Sequence, residues 1–421
     1  MKPVPDKASE TVSKSDVPHL FSPEAKPFEA PPHRPREPNP VERRPMTEQS
    51  LTIHHVTPHF YPEVGGVEDS LRHFGAWLVQ GGHRVIVHTS SLAASGETLA
   101  ARGAIEGIEI QRYPPISNRG YFRTWFRPDL SGARLIHLHG YAVRTNDRVV
   151  RATSHVPIVF SLHHGVRMPH VGRRVRVLRK FYDRFVGVPT LRRVDRILVT
   201  SSGDVPWLTR RGIPDAKVRV VPSPLPDAAY VPGDASWGRD RVGGPFILYL
   251  GRLHEEKGVD DLLEAFSRLP PDARLVFAGP DGGRLSALRS RARDLGVASR
   301  VTFLGTVSED EKRSLLASCV CLALPSLFEA QGLVAIESWA QGRPIVATRV
   351  GALAEMISHG ETGLLVPYHD IHALADSLDR MWTHPEVGNE MGAKGKRVAE
   401  SFRIGKIAPR LLQIYEDLAA H

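Results

Sequence analysis

The chain has 421 residues, a hydrophobic fraction of 41% and a formal net charge of +9 at pH 7. This length is too great for one ordinary core and indicates a globular protein of two domains with appendages. No apolar stretch approaches the roughly 20 residues that span a bilayer, and the N-terminus lacks the basic-then-apolar order of a secretory signal, so we expect a cytoplasmic protein. The two cysteines, Cys319 and Cys321, are predicted to be buried thiols, because a zinc site uses four ligands.

Residues 1–46 differ in composition from the rest of the chain. They contain 11 prolines, 8 basic and 7 acidic residues, and few aliphatic side chains. Because such a segment cannot bury a core, we predict a disordered Pro-rich leader. Beyond it, residues 47–225 hold 25 basic and 13 acidic residues, whereas residues 226–421 hold 22 and 26. The first half is therefore expected to attract anions.

Positive charge is densest between Arg167 and Arg196. Apolar residues there are interleaved with Arg173, Arg174, Arg176, Arg179, Lys180, Arg184, Arg192 and Arg193. A basic and partly amphipathic segment can rest on anionic lipid headgroups or hold an acceptor that carries phosphate. A solvated, arginine-rich surface is the alternative interpretation.

Strand and helix patterns alternate along the chain after the leader. Strands are predicted at 51–56, 84–89, 135–139, 158–162 and 196–200 and, after a Pro/Gly-rich stretch at 222–245, at 246–250, 274–278, 301–304, 320–324 and 345–347. Helical patterns lie between them, the first opened by Gly65 and Gly66. Alternation of this kind predicts parallel sheets covered on both faces.

The predicted fold class is therefore α/β, with two doubly wound Rossmann-like domains that face each other across a cleft. We place the first domain at residues 47–225 and the second at residues 226–405. A C-terminal helix within residues 406–421 could pack back on the first domain. In such sheets, ligands bind at the carboxyl ends of the strands.

Glu329 and Glu337 lie in the segment SLFEAQGLVAIESWAQG, residues 326–342. An apolar run before them predicts a buried strand, and Leu333–Ala340 have helical periodicity, so Gly332 lies at a strand-to-helix turn. The free N–H groups of the first helical turn can bind a diphosphate. Carboxylates accept hydrogen bonds from hydroxyls, so Glu337 suits a ribose diol and Glu329 suits a sugar. Two surface glutamates are the simpler alternative for this pair alone.

Arg252 and Lys257 follow the first predicted strand of the second half, just after Gly251. A planar arginine fork and a compact lysine charge suit a diphosphate whose negative charge grows as a glycosidic bond breaks. Two isolated cations at such positions are more often ordinary surface residues. Together with the glutamates at the same sheet edge, they indicate a site for a nucleotide sugar.

The chain resembles the GT-B retaining glycosyltransferases of family 4, the glycosyl transferases group 1, over about residues 51–405. The resemblance lies in five ordered blocks: PHFYPEVGGVE at 58–68, GRLHEEKGVDDLLEAF at 251–266, VTFLGTVSEDE at 301–311, the E-x7-E pattern at 329–337 and GRPIVATRVGALAEMISHGETGLLVP at 342–367. It implies a hexosyltransferase-type enzyme that moves a sugar from a nucleotide sugar to an acceptor hydroxyl with retention. Glycolipid, polysaccharide or related glycoconjugate synthesis is the expected setting, with a saccharide or lipid-linked acceptor.

The resemblance also implies roles for individual residues. Arg252 and Lys257 would bind the donor diphosphate, Glu337 the ribose, and Glu329 the transferred sugar. The implied donor-binding residues are Gly65, Gly66, Gly251, Val307, Gln331, Gly332, Leu333 and Glu337, and the implied catalytic residues are His163, Arg252, Lys257 and Glu329. His163 matches the histidine that contacts the donor sugar near the reacting carbon, although His164 beside it leaves the choice of histidine open.

Two positions depart from the family pattern. Ser223 and Pro224 stand where Asn-Gly is usual, at the expected hinge between the domains, and Ala330 and Gln331 stand where Gly-Phe is common. We expect the longer polar side chain of Gln331 to lie beside the sugar pocket and to alter donor choice.

No protein nucleophile stands out, and the resemblance implies a front-face reaction in which the donor phosphate assists deprotonation of the acceptor. The chain contains no Asp-x-Asp pair. We therefore predict no metal and no other cofactor, with Arg252 and Lys257 in place of a divalent cation. We expect no nucleic-acid partner, and a location in the cytoplasm that could be peripheral on the inner face of the membrane.

Other functions of α/β proteins have sequence signatures of their own. A nicotinamide-dependent dehydrogenase is disfavoured because no Gly-x-Gly occurs, and a P-loop enzyme because no Gly-Lys is followed by Ser or Thr. A sugar phosphorylase or a nucleotide-sugar epimerase with the same fold stays open. So does a non-enzymatic module that uses the basic first half to bind membranes or nucleic acid.

Overall fold

The computed structural model describes residues 50–63, 65–93, 96–117, 124–163 and 173–420, and every structural statement below refers to these. They all belong to one compact unit, Pro40–His421. The predicted leader, the first part of the basic segment and His164 lie outside the described residues.

The first sheet contains eight strands in the order β3-β4-β2-β1-β5-β6-β7-β8. They are β1 Thr52–Val56, β2 Arg84–Ser90, β3 Arg102–Ile105, β4 Ile108–Tyr113, β5 Leu135–His139, β6 Ile158–Ser161, β7 Arg196–Val199 and β8 Val218–Val220. The helices between them are α1 Gly66–Gln80, α2 Arg144–Ala152, α3 Arg173–Tyr182, α4 Val188–Arg193 and α5 Val205–Thr209. The strand order reverses direction between β1 and β5, which is where a doubly wound sheet binds ligands.

The edge of this sheet departs from the predicted parallel arrangement. Strand β3 runs antiparallel to β4. The two are joined by Glu106 and Gly107, with φ angles of 50° and 81°. Two consecutive residues in the left-handed region form the tight turn that suits the twist of a hairpin.

The second sheet contains six strands in the order β11-β10-β9-β12-β13-β14, all parallel. They are β9 Ile247–Leu250, β10 Leu275–Ala278, β11 Val301–Gly305, β12 Cys321–Leu324, β13 Ile345–Thr348 and β14 Leu364–Val366. Its helices are α6 Ala235–Val242, α7 Val259–Phe266, α8 Leu285–Asp294, α9 Glu309–Ser318, α10 Leu333–Ala340, α11 Leu353–Met356, α12 Ile371–Thr383 and α13 Pro385–Ala399. The order reverses between β9 and β12, so a second binding edge lies there.

The last helix, α14 Ile404–Ala419, packs on the core of the first sheet rather than on the second. Its start is paired with the linker, since the N–H of Leu225 donates to Phe402 and the N–H of Ile404 donates to Leu225. The sequence predicted this helix within residues 406–421, whereas α14 begins at Ile404 and contains Pro409. Burial of the apolar stripe that includes Leu411 outweighs the hydrogen bond that a proline inside a helix removes.

Candidate active site

Lys257 and Glu329 meet at the reversal point of the second sheet. Lys257 lies on the loop after β9, and Glu329 lies on the loop after β12. The Lys257 Nζ atom is 2.7 Å from Oε1 of Glu329. Their side chains are 30% and 14% exposed, so the pair stands at a solvent-accessible edge rather than in the core. Two residues with separately predicted roles are therefore in direct contact.

The loops that carry this pair are joined to each other. Gly258, with φ of 66°, ends the short helical turn that holds Lys257. A side chain at Gly258 would collide with the carbonyl of Pro325, and the N–H of Leu327 donates to the carbonyl of Glu256 at 2.9 Å. Only glycine satisfies both the left-handed backbone and this approach. The chain thus fixes Lys257 beside Glu329 through its main chain.

Glu329 is held from two further directions. The hydroxyl of Ser326 donates to Oε1 of Glu329 at 2.8 Å, so this oxygen accepts from both Ser326 and Lys257. The main-chain N–H of Ala352 donates to the Glu329 carbonyl at 3.0 Å. Because Oε1 is shared in this way, the other carboxylate oxygen is the one suited to a sugar hydroxyl.

Arg252 lies at the same edge, just after β9. The hydroxyl of Tyr249, at the end of β9, donates to the carbonyl of Arg252 at 2.7 Å. Burial raises the pKa of Tyr249, the charge of Glu329 raises it further, and the charge of Arg252 opposes them. Both charges therefore act on one phenol, and the Arg252 side chain is exposed and accessible to a ligand.

Glu337 has a partner that the sequence did not indicate. Lys312, on α9, places its Nζ 2.7 Å from Oε1 of Glu337 and 2.8 Å from Oε2 of Glu309. Burial alone would lower the pKa of Lys312, but the two carboxylates outweigh it and hold this pKa above its ordinary value. A lysine near the N-terminal end of a helix is unfavourable with respect to the helix dipole. This unfavourable position was the only indication in the sequence that Lys312 pairs with a residue outside its own helix.

Helix α1 of the first sheet faces this cluster. Burial raises the pKa of Asp69 to about 6, and the charges that act on Asp69 include those of Lys312 and Glu337. A Cβ atom built on Gly66 would lie 3.8 Å from Cδ1 of Leu333. The N-terminal ends of α1 and α10, both led by glycine, therefore lie close together. The first N–H groups of each helix have no partner within the helix and can bind an anion.

The side chain of Gln331 is hydrogen-bonded to the linker that follows the first sheet. Its Oε1 accepts from the N–H of Ser223 at 2.6 Å, and its Nε2 donates to the carbonyl of Ser223 at 2.8 Å. Ser223 lies in the linker after β8, so its main-chain N–H and carbonyl are not paired within the sheet. The side-chain amide of Gln331 supplies the acceptor and the donor that these two groups need. The hydroxyl of Thr200 also donates to the carbonyl of Ala330 at 3.0 Å. The loop after β12 is thus fastened to the first domain.

Replacing Gln331 by alanine should destabilise the protein by about 1–3 kcal/mol, because it leaves buried main-chain groups of Ser223 unpaired. Denaturant unfolding measures this difference. Gln413→Ala, an exposed glutamine on α14, is the matched control and should leave the stability unchanged. Equal stabilities of the two variants would show that the Gln331 contact contributes nothing.

The other predicted residues also have defined positions. His163 follows β6 with φ of 51° and lines a small cavity with Thr200 and Ser223. Val307 packs partly against the core of the second sheet, just before the capping box of Ser308 and Glu311 that starts α9. Gly251, with φ of 153°, donates its N–H to Ala278 at 2.9 Å.

Two protein-family models match the chain, one for each sheet. The Glycosyltransferase Family 4 model matches residues 64–228, and the Glycosyl transferases group 1 model matches residues 239–398. D-inositol 3-phosphate glycosyltransferase of Acidothermus cellulolyticus is 30% identical over 307 residues, which are 68% of this chain and 67% of that relative. The chain belongs to the glycosyl transferases group 1 family. The family resemblance predicted from the five sequence blocks is thereby confirmed.

Further comparisons agree with this assignment. D-inositol 3-phosphate glycosyltransferase of Rhodococcus jostii is 33% identical to this glycosyltransferase over 235 residues, about half the length of either chain. Sucrose-phosphate synthase from Thermosynechococcus elongatus superposes with a TM-score of 0.74 at 22% identity, covering 88% of this chain and 99% of that one. HepE of Anabaena in complex with UDP and glucose superposes with a TM-score of 0.68 at 19% identity, covering 87% of this chain and 100% of that one. The structural likeness confirms the predicted GT-B fold.

Proposed function

We propose that this glycosyltransferase moves a hexose from a nucleoside diphosphate sugar to an acceptor hydroxyl with retention of configuration. The observation that supports it most is the Lys257–Glu329 contact at the reversal point of the second sheet. A cation for the diphosphate and a carboxylate for the sugar are adjacent there. The HepE structure that shares this fold holds UDP and glucose.

The proposed mechanism relies on charge and position. An ammonium group has three donors, so Lys257 can keep Glu329 and still donate to the leaving diphosphate. Lys312 holds one oxygen of Glu337 and orients the carboxylate, whose other oxygen can accept from the ribose diol. As the glycosidic bond breaks, Arg252, Lys257 and the helix N-terminal ends stabilise the growing negative charge, and a donor phosphate oxygen takes the acceptor proton.

A nucleotide-sugar panel tests the reaction class. We expect one donor to raise the melting temperature selectively, because ligand binding stabilises the folded state, and to be consumed only when an acceptor is present. NMR of the product should show the anomeric configuration of the donor. Consumption that requires inorganic phosphate would instead indicate a phosphorylase, and epimerised donor without acceptor would indicate an epimerase.

Transfer is expected to proceed without a metal. Arg252 and Lys257 carry the positive charge that a divalent cation would otherwise supply to the diphosphate. The initial rate should therefore be unchanged in excess chelator. A rate lost in chelator and restored by manganese or magnesium would contradict this part of the mechanism.

For the acceptor, we propose an anionic molecule bound by the first domain. Residues 47–225 hold 25 basic and 13 acidic residues, a net charge of +12. The two curated relatives described above are named for an inositol phosphate, which is a polyol that carries such a charge. A charged acceptor should bind more weakly as salt is raised.

The outer face of α3 and of the turn after it also favours a membrane surface. We define the α3 face by its apolar residues Val175, Val177, Leu178, Phe181 and Phe185. Leu178, Phe181 and Phe185 are 64%, 59% and 65% exposed. Exposed basic residues stand between them, namely Arg174, Arg176, Lys180 and Arg184. Apolar and basic side chains mixed in this way match the headgroup region of an anionic bilayer.

Buried contacts on the inner side fix the orientation of the α3 face. The hydroxyl of Tyr182 donates to Asp147 at 2.9 Å, and that of Tyr141 donates to Asp183 at 2.9 Å. The guanidinium of Arg179 donates to the same Asp183 carboxylate at 2.9 Å. Since these groups face inward, the phenylalanines face outward. In the described part of the chain, no helix combines the length and the apolarity needed to cross a bilayer.

Replacing Phe181 and Phe185 together by serine should lower the affinity for phosphatidylserine vesicles by about tenfold or more, because both rings leave the interface. Vesicle sedimentation measures it, and turnover of a water-soluble acceptor should be unchanged. Vesicles of zwitterionic lipid serve as the control and should bind weakly. Undiminished binding by the double variant would exclude the α3 face as the contact surface.

A further inference from the structure

His163 is the end of a chain of hydrogen-bonded imidazoles in the first sheet. Its Nε2 lies 2.7 Å from Nδ1 of His139, at the end of β5. On the other side of that ring, Nε2 of His139 lies 2.9 Å from Nδ1 of His55 on β1. The predicted catalytic histidine is therefore connected to the centre of the sheet through two further rings.

Strand register explains why these rings meet. His55 is paired with His137 across β1 and β5, and His139 is paired with Ser161 across β5 and β6. Paired residues of neighbouring strands point to the same face, and so do residues two apart in one strand. His163, two residues beyond Ser161, continues this row toward the carboxyl edge.

The rings of His55 and His139 are fully buried and neutral. Burial, followed by the neighbouring histidines, lowers the pKa of His55 to about 3 and holds that of His139 well below its ordinary value. A neutral imidazole donates through one nitrogen and accepts through the other. The chain of rings therefore has a direction, and one end determines the tautomer at the other.

The inner end indicates that direction. Nε2 of His55 is buried without a hydrogen-bond partner among the described residues. If this nitrogen carried the proton, a buried N–H donor would be unpaired, which is rarer in proteins than an under-satisfied acceptor. The proton of His55 is therefore assigned to Nδ1, which donates to His139, and Nδ1 of His139 in turn donates to Nε2 of His163. The remaining proton of His163 then resides on its Nδ1.

We propose that His139 and His55 are positioning residues that hold His163 as its Nδ1–H tautomer and fix the plane of its ring. An Nδ1–H group of His163 can donate to an oxygen of the transferred sugar or its phosphate when the substrate binds. This last step rests on the proposed function, whereas the tautomer does not. A donor fixed in advance loses little orientational freedom when the substrate binds.

A metal site is the competing interpretation of these residues. His55, His137 and His139 each bring one ring nitrogen within 4.8 Å of the others. Both ring nitrogens of His139 are already hydrogen-bonded, Nε2 to His55 and Nδ1 to His163, so a metal bound by His139 would break this row. Burial lowers the pKa values of these three residues most, and the neighbouring groups that lower them further are other histidines, not carboxylates. A divalent cation would therefore be buried without a compensating charge, which is costly, whereas neutral rings need no such charge.

Nitrogen-15 NMR of the full chain with labelled histidine tests the proposal directly. The His163 signals, assigned by their loss in His163→Asn, should show a single neutral tautomer protonated at Nδ1. His139→Leu should abolish this preference and lower kcat at least fivefold, with a smaller change in the KM for the donor. In His139→Asn, the amide N–H can take the place of Nδ1–H, so both the tautomer and kcat should largely recover.

His88→Asn is the matched control. His88 is buried and bonded to His54 at 3.0 Å, but it is absent from the hydrogen bonds that connect His163 to β1. This variant should leave the His163 tautomer unchanged. Thermal melting of each variant identifies any that fails to fold, and the wild-type spectrum decides the proposal without them.

Several outcomes would overturn the proposal. They are an Nε2–H or mixed tautomer of His163 in the wild type, a tautomer that persists in His139→Leu, and one equivalent of zinc bound through His55, His137 and His139. If the tautomer is found as stated but no nucleotide sugar is turned over, the positioning is supported and the proposed function fails.

Discussion

Replacing Lys257 by alanine is expected to lower kcat by about 10²–10³-fold, with little change in the KM for the acceptor. The reason is that Lys257 faces Glu329 at 2.7 Å and, in the proposed mechanism, meets the negative charge that develops on the leaving diphosphate. That interaction is strongest in the transition state, so its loss affects turnover more than ground-state binding. Steady-state kinetics with both substrates varied measure this difference.

Two variants make the Lys257 result specific. Lys257→Arg keeps the charge but changes its shape, so it should retain part of the rate. Lys394 is an exposed lysine on α13, outside the loops that form the proposed site. Lys394→Ala also removes one positive charge but should leave kcat unchanged. A raised acceptor KM with kcat preserved in Lys257→Ala would move Lys257 to the acceptor side.

Replacing Glu337 by alanine should weaken donor binding by about 1.5–3 kcal/mol, or roughly 10–150-fold, the scale of hydrogen bonds to a charged group. The carboxylate is the proposed partner of the ribose diol, and Lys312 orients it through a 2.7 Å contact. Calorimetry with the nucleotide alone suffices, because the nucleotide carries the ribose.

The cluster itself supplies the control for Glu337. Glu309 contacts the same Lys312 at 2.8 Å, but its side chain is 74% exposed. Glu309→Ala therefore removes one carboxylate from Lys312 while keeping the Lys312–Glu337 contact, and donor affinity should change little. Unchanged affinity in Glu337→Ala as well would show that the ribose binds elsewhere.

Periodicity in the sequence predicted most of the regular elements. The strand at Leu135–His139 and the helix at Leu333–Ala340 have the predicted bounds, because a short strand pattern between loop residues and a helical repeat are local signals. The hairpin of β3 and β4 was not predicted, since its turn depends on the left-handed backbone of Glu106 beside Gly107. Local pattern alone did not distinguish that turn from an ordinary loop.

The site was predictable as far as the order of the strands determines it. Loops after β9 and β12 meet at the reversal point of a doubly wound sheet, so the proximity of Lys257 to Glu329 could be expected. The partners of Lys312 and Gln331 could not be predicted from the sequence. The partner of Lys312 is set by how α9 packs beside α10, and that of Gln331 by the path of the linker at Ser223. Both depend on tertiary geometry that spacing in the sequence does not encode.

The histidine row shows the same limit. His54 and His55 are neighbours in the sequence but point to opposite faces of β1, where His54 meets His88 and His55 meets His139. The sequence predicts that side chains alternate between the two faces of β1. It does not predict which histidine of β5 lies beside His55, because that depends on the register between β1 and β5. The role proposed for His139 could therefore come only from the structure.

A crystal structure of the full chain with its nucleoside diphosphate sugar tests most directly whether these residues form one donor site. We expect the diphosphate oxygens within hydrogen-bond distance of Arg252 and Lys257, the ribose hydroxyls on Glu337 and the hexose on Glu329. A nucleotide bound instead at the edge of the first sheet, with its diphosphate away from both cations, would contradict the proposed site and the mechanism built on it.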